Sequence, residues 1–298
     1  MANLRDIQRR IKSVKNTGKI TRAMQLVAAS KMKKAQDQAV ASRPYAQLMA
    51  EIVSGLFRHL SVEELAAVQS PIFEKREVKK RGILLLSTDK GLCGSLNANL
   101  FRALAEIDRE KAAFVTVGRK ATQFVSRSRR NLLADFSVSD HVLFSELRPV
   151  VDFLLNAYYE GEIDTIEVLY TQFINNLKQE AVLINLVPMI GLDDLIQAII
   201  GVQDYTEKAP IENDEREIRF EPSAKEILDA IIPLFISREI YHKVLEAKAS
   251  EHSARMVAMK TATDNAGELC DSLTLKFNKA RQAAITQEIQ EISAASAS

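Results

Sequence analysis

Between Leu234 and Ile292 the chain carries no proline and a single glycine, Gly267. This stretch, which includes "ARMVAMKTATDNAGELCDSLTLKFNKARQAAITQEI" at 254–289, is built mostly of good helix formers. As one helix it spans roughly 85–90 Å at 1.5 Å per residue. Its apolar side chains, from Ile240, Val244, Met256 and Met259 through Ala266, Leu269 and Leu273 to Ile285, Ile289 and Ile292, form a continuous but irregular seam. No small globule buries a seam that long, so a second long element is required. The preceding Pro222 suits a first helical turn, and Pro233 is expected to kink or restart the helix.

The other end of the chain supplies that element. Leu4, Ile7, Ile11 and Val14 repeat at three- and four-residue steps, and Ile20, Met24, Val27, Ala28, Met32 and Ala35 continue the pattern towards Phe57. Only Gly18 and Pro44 interrupt it, and a slight bend is expected near either. Two rods at opposite ends of one chain bury each other's seams by pairing antiparallel. Alanines in both allow close approach. Independent helices within one bundle are the alternative this pattern leaves open.

The middle has a different rhythm. Apolar runs at 82–87, 112–118, 164–173 and 180–188 read as strands, and 97–107, 119–128 and 145–159 as helices. The expected fold is α/β, with a long antiparallel coiled coil of terminal helices and a central Rossmann-like α/β domain. The expected divisions are an N-terminal shaft helix (1–57), a connector (58–80), the central domain (81–201), a second connector (202–222), a C-terminal shaft helix (223–292) and a mobile tail (293–298).

Enzymatic readings lack a vocabulary. "STDKGLCGSLN" (87–97) has Gly91 and Gly94 after a strand, but neither GxGxxG nor GxxxxGK[ST], so it reads as a tight structural turn before it reads as a phosphate cradle. Cys93 has no local base and is expected to pack in the loop; with Cys270 it makes no CxxC pair. The four histidines form no metal array, and His252 beside Glu251 is expected to be exposed or near a cap. Net charge is +1, yet residues 1–43 hold many Lys and Arg against only Asp6 and Asp37, while "EKAPIENDEREIRFEP" (207–222) is mostly acidic. This asymmetry points to electrostatic docking on a partner. Nucleic acid is not the expected partner, because no recognition motif or aromatic platform accompanies the basic helix. No apolar run approaches the roughly 20 residues needed to cross a bilayer. A coiled-coil scaffold and a nucleotide-dependent enzyme remain the competing functional classes.

At this point the pattern becomes specific. "ITRAMQLVAASKM" (20–32), "ASRPYA" (41–46), "STDKGLCGSLN" (87–97), "ARMVAMKTATDNA" (254–266) and "NKARQAAITQEIQEI" (278–292) together resemble the gamma-subunit family of F-type ATP synthases. The resemblance covers essentially the whole chain, and its weight lies in the order and spacing of the five segments.

The resemblance implies one such subunit per complex, with its shaft inside a ring of three alpha and three beta subunits and its foot near epsilon and the membrane c-ring. Proton flow turns the shaft, and its unequal faces drive the beta catalytic sites through different states. No independent catalysis is expected of this chain. ATP, ADP, phosphate and Mg ion act at the alpha and beta subunits, and no cofactor is expected on this chain itself. It also implies beta-subunit coupling roles for Met24, Arg255, Arg281, Gln282, Thr286 and Glu288. The chain has no cysteine pair like that of the chloroplast regulatory insertion and no transit-like leader, so a bacterial form, peripheral on the cytoplasmic face of the cell membrane, is expected.

Overall fold

The computed structural model describes residues 4–41, 44, 45, 48, 52, 71, 72, 76–188, 221 and 224–296. Most of the first helix beyond residue 41, most of the connector at 58–80, nearly all of the one at 202–222 and the central domain after 188 lie outside the described residues.

The first helix, α1, runs over Leu4–Ala41 (38 residues) and the last, α5, over Ala224–Ser296 (73 residues). At 1.5 Å per residue α5 is about 110 Å long. It passes through Pro233 without the expected restart. Ile232, Phe235 and Ile236 are buried in the main core around this turn, and Ser237 Oγ donates to the Pro233 carbonyl at 2.6 Å. Packing thus holds in place a turn that a proline would otherwise disfavour by about 3 kcal/mol. At its other end α5 continues through Ser296, past the expected boundary at 292.

The two helices pair antiparallel. Gly18 faces Ala266, and the Thr21 and Thr263 hydroxyls hydrogen-bond at 2.7 Å, so three residues forward on α1 match three residues back on α5. Ala28 and Ala35 on α1 and Met259 on α5 are buried. α1 runs through Gly18 without interruption. A Cβ added to Gly18 would lie 3.4 Å from Ala266 Cβ, so at this position the glycine serves close helix approach.

Between the rods lies a five-stranded sheet in the order β3-β2-β1-β4-β5. The strands are β1 (Arg81–Leu86), β2 (Ala112–Val117), β3 (Asn131–Phe136), β4 (Thr165–Phe173) and β5 (Gln179–Val187). The first four are parallel, and β5 returns antiparallel to β4. Connecting the parallel strands are α2 (Leu96–Ala105), α3 (Arg119–Arg127) and α4 (Phe144–Tyr159). Alternation along the strands sorts the core into two layers. Ile83, Leu85, Phe114 and Leu169 face Leu100 and Leu104 of α2 and Val125 of α3. Leu84, Val115, Val168 and Tyr170 face α4 and the first turns of α5, through Leu147, Leu154, Phe235 and Ile240. The doubly wound arrangement matches the Rossmann-like expectation, with β3 as a strand the sequence reading did not assign. It lies at the sheet edge and is only partly buried, so it lacks the apolar run of its neighbour β2.

Candidate functional site

Two regions of α5 carry functional chemistry. The first is its tip. Carrying the Gly18–Ala266 register along both helices sets Leu4, the first described residue of α1, opposite Ala280. Residues 281–296 therefore project beyond the described part of α1, and from Arg281 to Ser293 every residue except Ala284 is exposed. Arg281, Gln282, Thr286 and Glu288 all stand exposed on this stretch. Thr286 Oγ1 donates back to the Gln282 carbonyl at 2.9 Å, leaving its lone pairs for a partner's donors. Arg281, Gln282 and Glu288 make no side-chain hydrogen bond or ion pair among the described residues. Ile285, Ile289 and Ile292 are exposed beside them. A mixed charged and aliphatic surface of this kind suits a partner that grips and releases.

The second region is a polar junction where α5 leaves the sheet. Ser250 Oγ donates to the Thr171 carbonyl at 2.9 Å and Ser253 Oγ to the Asn176 carbonyl at 3.1 Å, binding the helix to the carboxyl end of β4 and the hairpin after it. Lys248, Glu251, His252 and Arg255 are buried around these serines. Asp140, in the loop between β3 and α4, gathers three partners. Lys31 of α1 donates to it at 2.5 Å, while Lys248 Nζ and His252 Nε2 each stand 3.9 Å away. The Lys31 hydrogen bond holds the Asp140 carboxyl below its ordinary range, against the opposing effect of burial.

His252 corrects an expectation: it is only 2% exposed, not on the surface or at a cap. Burial pushes its imidazole down to about 4, and Arg255, Lys248 and Lys31 push the same way against Asp140. It is neutral at physiological pH. The sequence held one signal for this junction: between Leu245 and Met256 the only apolar residues of α5 are alanines, set among the charged residues and two small serines.

The six residues singled out by resemblance do not form one cluster. Met24 is half-buried midway along the rod, four are on the tip, and Arg255 lies in the junction. Its guanidinium pairs with Glu251 at 2.8 Å and donates through Nη2 to the carbonyls of Lys90 and Gly91 at 3.2 and 3.3 Å.

That contact also answers the phosphate question. Residues 87–95 leave the carboxyl end of β1 between β2 and β4, the crevice where doubly wound sheets bind ligands. Here the loop turns two carbonyls toward a cation of its own chain, the opposite polarity to a phosphate cradle. Cys93 is buried in the same loop, and burial raises its thiol, so it stays protonated. Among the described residues no group of three or more His, Cys, Asp or Glu is placed to hold a metal ion.

A long asymmetric helical shaft, rooted in an α/β head whose β1 loop is held by the shaft's own arginine, defines a mechanical class of protein. The chain matches the ATP synthase family over residues 3–298 and is 53% identical over 296 residues to the ATP synthase gamma chain of Opitutus terrae, covering 99% of this chain and 98% of that one. It belongs to the ATP synthase gamma-chain family, and its role is that of the rotor stalk. The gamma chain of Methylacidiphilum infernorum is 42% identical over 300 residues, covering 99% of this chain and 98% of that one. The fold recurs in the rotor of the Euglena gracilis mitochondrial ATP synthase, with a TM-score of 0.62 at 17% identity over 95% of this chain and 98% of that one. It recurs again in the central stalk of the Tetrahymena thermophila mitochondrial ATP synthase, with a TM-score of 0.56 at 22% identity over 82% of this chain and 99% of that one.

Proposed function

We propose that this chain is the turning shaft that couples transmembrane proton flow to ATP synthesis, or ATP hydrolysis to proton pumping, at catalytic sites in beta subunits around it. One gamma chain stands inside a ring of three alpha and three beta subunits, with its head against epsilon and the c-ring. Nucleotide, phosphate and Mg ion act in that ring. No described helix is long and apolar enough to cross a membrane, and the chain is held peripherally, on the cytoplasmic face of a bacterial membrane, by its partners.

The observation that carries this reading is the exposed helical tip, residues 281–293, beyond the described part of α1 and at the far end of a shaft fixed firmly to its head. A rotating surface transmits preference only if its affinity differs between angular states. Uniformly strong contacts would lock it. Arg281 supplies a charge-assisted contact of about 1.5–3 kcal/mol to a carboxylate or carbonyl, and Gln282 and Thr286 supply weaker, exchangeable hydrogen bonds. Met24 adds an unbranched side chain that repacks as a neighbour slides past.

The test is to copurify the tagged chain with its neighbours, weigh the native complex, and compare ATPase rate with proton pumping for Arg281→Ala and Gln282→Ala. A 3:3:1 complex whose pumping per ATP falls in the variants is the expected result. A homodimer that ignores alpha and beta would replace the rotor with a scaffold. Wild-type rates and pumping in both variants would remove the coupling role of those side chains.

A further inference from the structure

The loop between β3 and α4 is built to keep one shape. Val138 and Val142 are buried in the main core on either side of Asp140. The Ser139 amide donates to Glu146 Oε2 of α4 at 3.0 Å, and Ser139 Oγ donates to the His141 carbonyl at 2.6 Å. From this fixed turn two groups reach the groove between α1 and α5. The Asp140 carboxylate accepts from Lys31 of α1 at 2.5 Å and stands 3.9 Å from Lys248 Nζ of α5. The Val142 carbonyl accepts from Gln38 Nε2 of α1 and from the Tyr241 hydroxyl of α5, each at 3.4 Å. Lys31 and Gln38 lie about two helical turns apart on α1, as do Tyr241 and Lys248 on α5, which sets the two attachments about 10.5 Å apart along both rods. One loop of the head thus meets both rods at two heights.

Of the two rods, α1 has more need of such a hold. α5 sends Ile236, Ile240 and Val244 into the main core, whereas the buried apolar residues of α1 among those described are Ala28 and Ala35. An alanine seam allows close approach but offers few knobs to interlock, so it does little to stop one rod rolling on the other. A single attachment would leave a pivot. Two remove it.

We propose that loop 138–142 is a clasp across the groove between the rods, with Asp140 the positioning residue that makes α1 turn with the head, so that the shaft transmits rotation as one body. The proposal rests on the rotor reading above. A carboxylate suits the place because its two oxygens meet cations from both rods, Oδ2 the Lys31 ammonium and Oδ1 that of Lys248. The Lys248 side chain is only 8% exposed, and its other carboxylate partner among the described residues, Glu251 at 3.9 Å, is shared with Arg255. Loss of the Asp140 charge therefore leaves a covered ammonium short of counter-charge where α1 must stay seated.

The first arm of the test is hydrogen exchange on the full-length chain. Asp140→Asn should speed exchange of the α1 amides over residues 28–38 about fivefold, as loss of roughly 1 kcal/mol of fastening requires, and leave residues 232–245 of α5 unchanged. Unchanged exchange in α1, or an equal rise in both segments, would overturn the clasp. Lys31→Gln removes the same contact from its solvent side, and is read in place of Asp140→Asn if that variant lowers the melting temperature of the whole chain. The second arm measures protons pumped per ATP in the assembled complex for Lys31→Cys with Asp140→Cys, in a Cys270→Ser background where the other native thiol, Cys93, is buried. With the two new thiols free, the ratio should fall below that of the Cys270→Ser parent. A short bis-methanethiosulfonate linker between them should restore it, and dithiothreitol should undo the gain. An uncharged link restores the clasp without the charges, so a merely electrostatic contribution to stability would not be rescued. Full coupling with the thiols free, or a linked complex no better coupled than the reduced one, would overturn the proposal. Failure of the rotor reading looks different: the wild-type chain would not assemble with alpha and beta at all, while hydrogen exchange would still report on the clasp.

Discussion

Helix α5 lives in two environments. From Ile232 to Met259 it is a core element of its own chain: Ile236 is fully buried, Phe235, Val244 and Leu245 lie in the main core, and even Arg238, Glu239, Lys248 and Glu251 are covered. Beyond Lys260 the same helix exposes Leu269, Leu275, Ile285 and Ile289, and Ile292 stands 70% in water. The backbone is continuous throughout, so helix formation does not distinguish the halves. What differs is where the apolar area finds its contacts. The lower half is fixed to the head by this chain's own residues and moves with it. The upper half leaves its aliphatic surface for others, and a shaft must do both to carry force from one end to the other.

The sharpest way to break this contrast is to cut the same kind of side chain from each half. Phe235→Ala removes a fully buried ring at the head and is expected to cost about 3–5 kcal/mol. Ile289→Ala removes an exposed side chain at the tip and should stay within about 0.5 kcal/mol in the free chain. Urea unfolding of the full-length protein measures both. Comparable losses would mean that the tip is packed against its own chain in solution, and the division of α5 would fall.

Much of this was legible in the sequence, for physical reasons that also mark where legibility stopped. The strands at β1 and β2 are nearly continuous apolar runs because both faces are covered, and β4, buried on both faces over most of its length, reads as a strand despite Glu167. Strand β3 has only partial cover, so its composition carries no such mark. The rods announced themselves through length and the absence of breakers, and the breakers that do occur, Gly18 and Pro233, were overruled by packing. The tip residues came from resemblance alone, since an exposed Arg or Gln on a helix has no local signature. Least legible was the junction. Burial of His252 and Arg255 is imposed by loops around Asp140 and Lys90, far away in sequence, and no local pattern reports a neighbour that only the fold supplies.

The junction gives the second test, a pH dependence that belongs to the lower half alone. In the unfolded chain His252 takes up a proton near its ordinary 6.5, whereas in the folded chain burial lowers it to about 4. Between those values the unfolded state binds more protons, so stability contributed by this group is full above pH 6.5 and is lost as pH falls toward 4. Two and a half pKa units correspond to at most roughly 3 kcal/mol. Glu239 and Glu246 work the other way, because burial raises both carboxyls and acidification then favours the folded state. Asp140, held down by Lys31, loses its contribution only below about pH 3.8. The expected result is therefore a difference: unfolding free energies of the wild-type chain and His252→Gln diverge in slope between pH 6.5 and 4, with the variant flatter on the acid side. Parallel curves would mean that the imidazole is hydrated and outside the buried set.

The smallest expected effect concerns the seam of the upper rod, where Gly18 meets Ala266. A glycine within a helix costs about 1 kcal/mol relative to alanine, because the unfolded chain has more freedom to lose. An alanine Cβ at this position would stand 3.4 Å from Ala266 Cβ, ordinary contact distance, and α1 is regular helix there. Gly18→Ala should therefore stabilise the free chain by about 0.5–1 kcal/mol in urea unfolding. Gly18→Leu adds further carbons where the neighbouring helix already stands at contact distance, so it should cost stability and part the rods locally, breaking the Thr21–Thr263 hydrogen bond one turn away. If leucine were accepted as readily as alanine, the rods would be loosely paired at this height, and the upper half of α5 would be free of its own chain well below the tip.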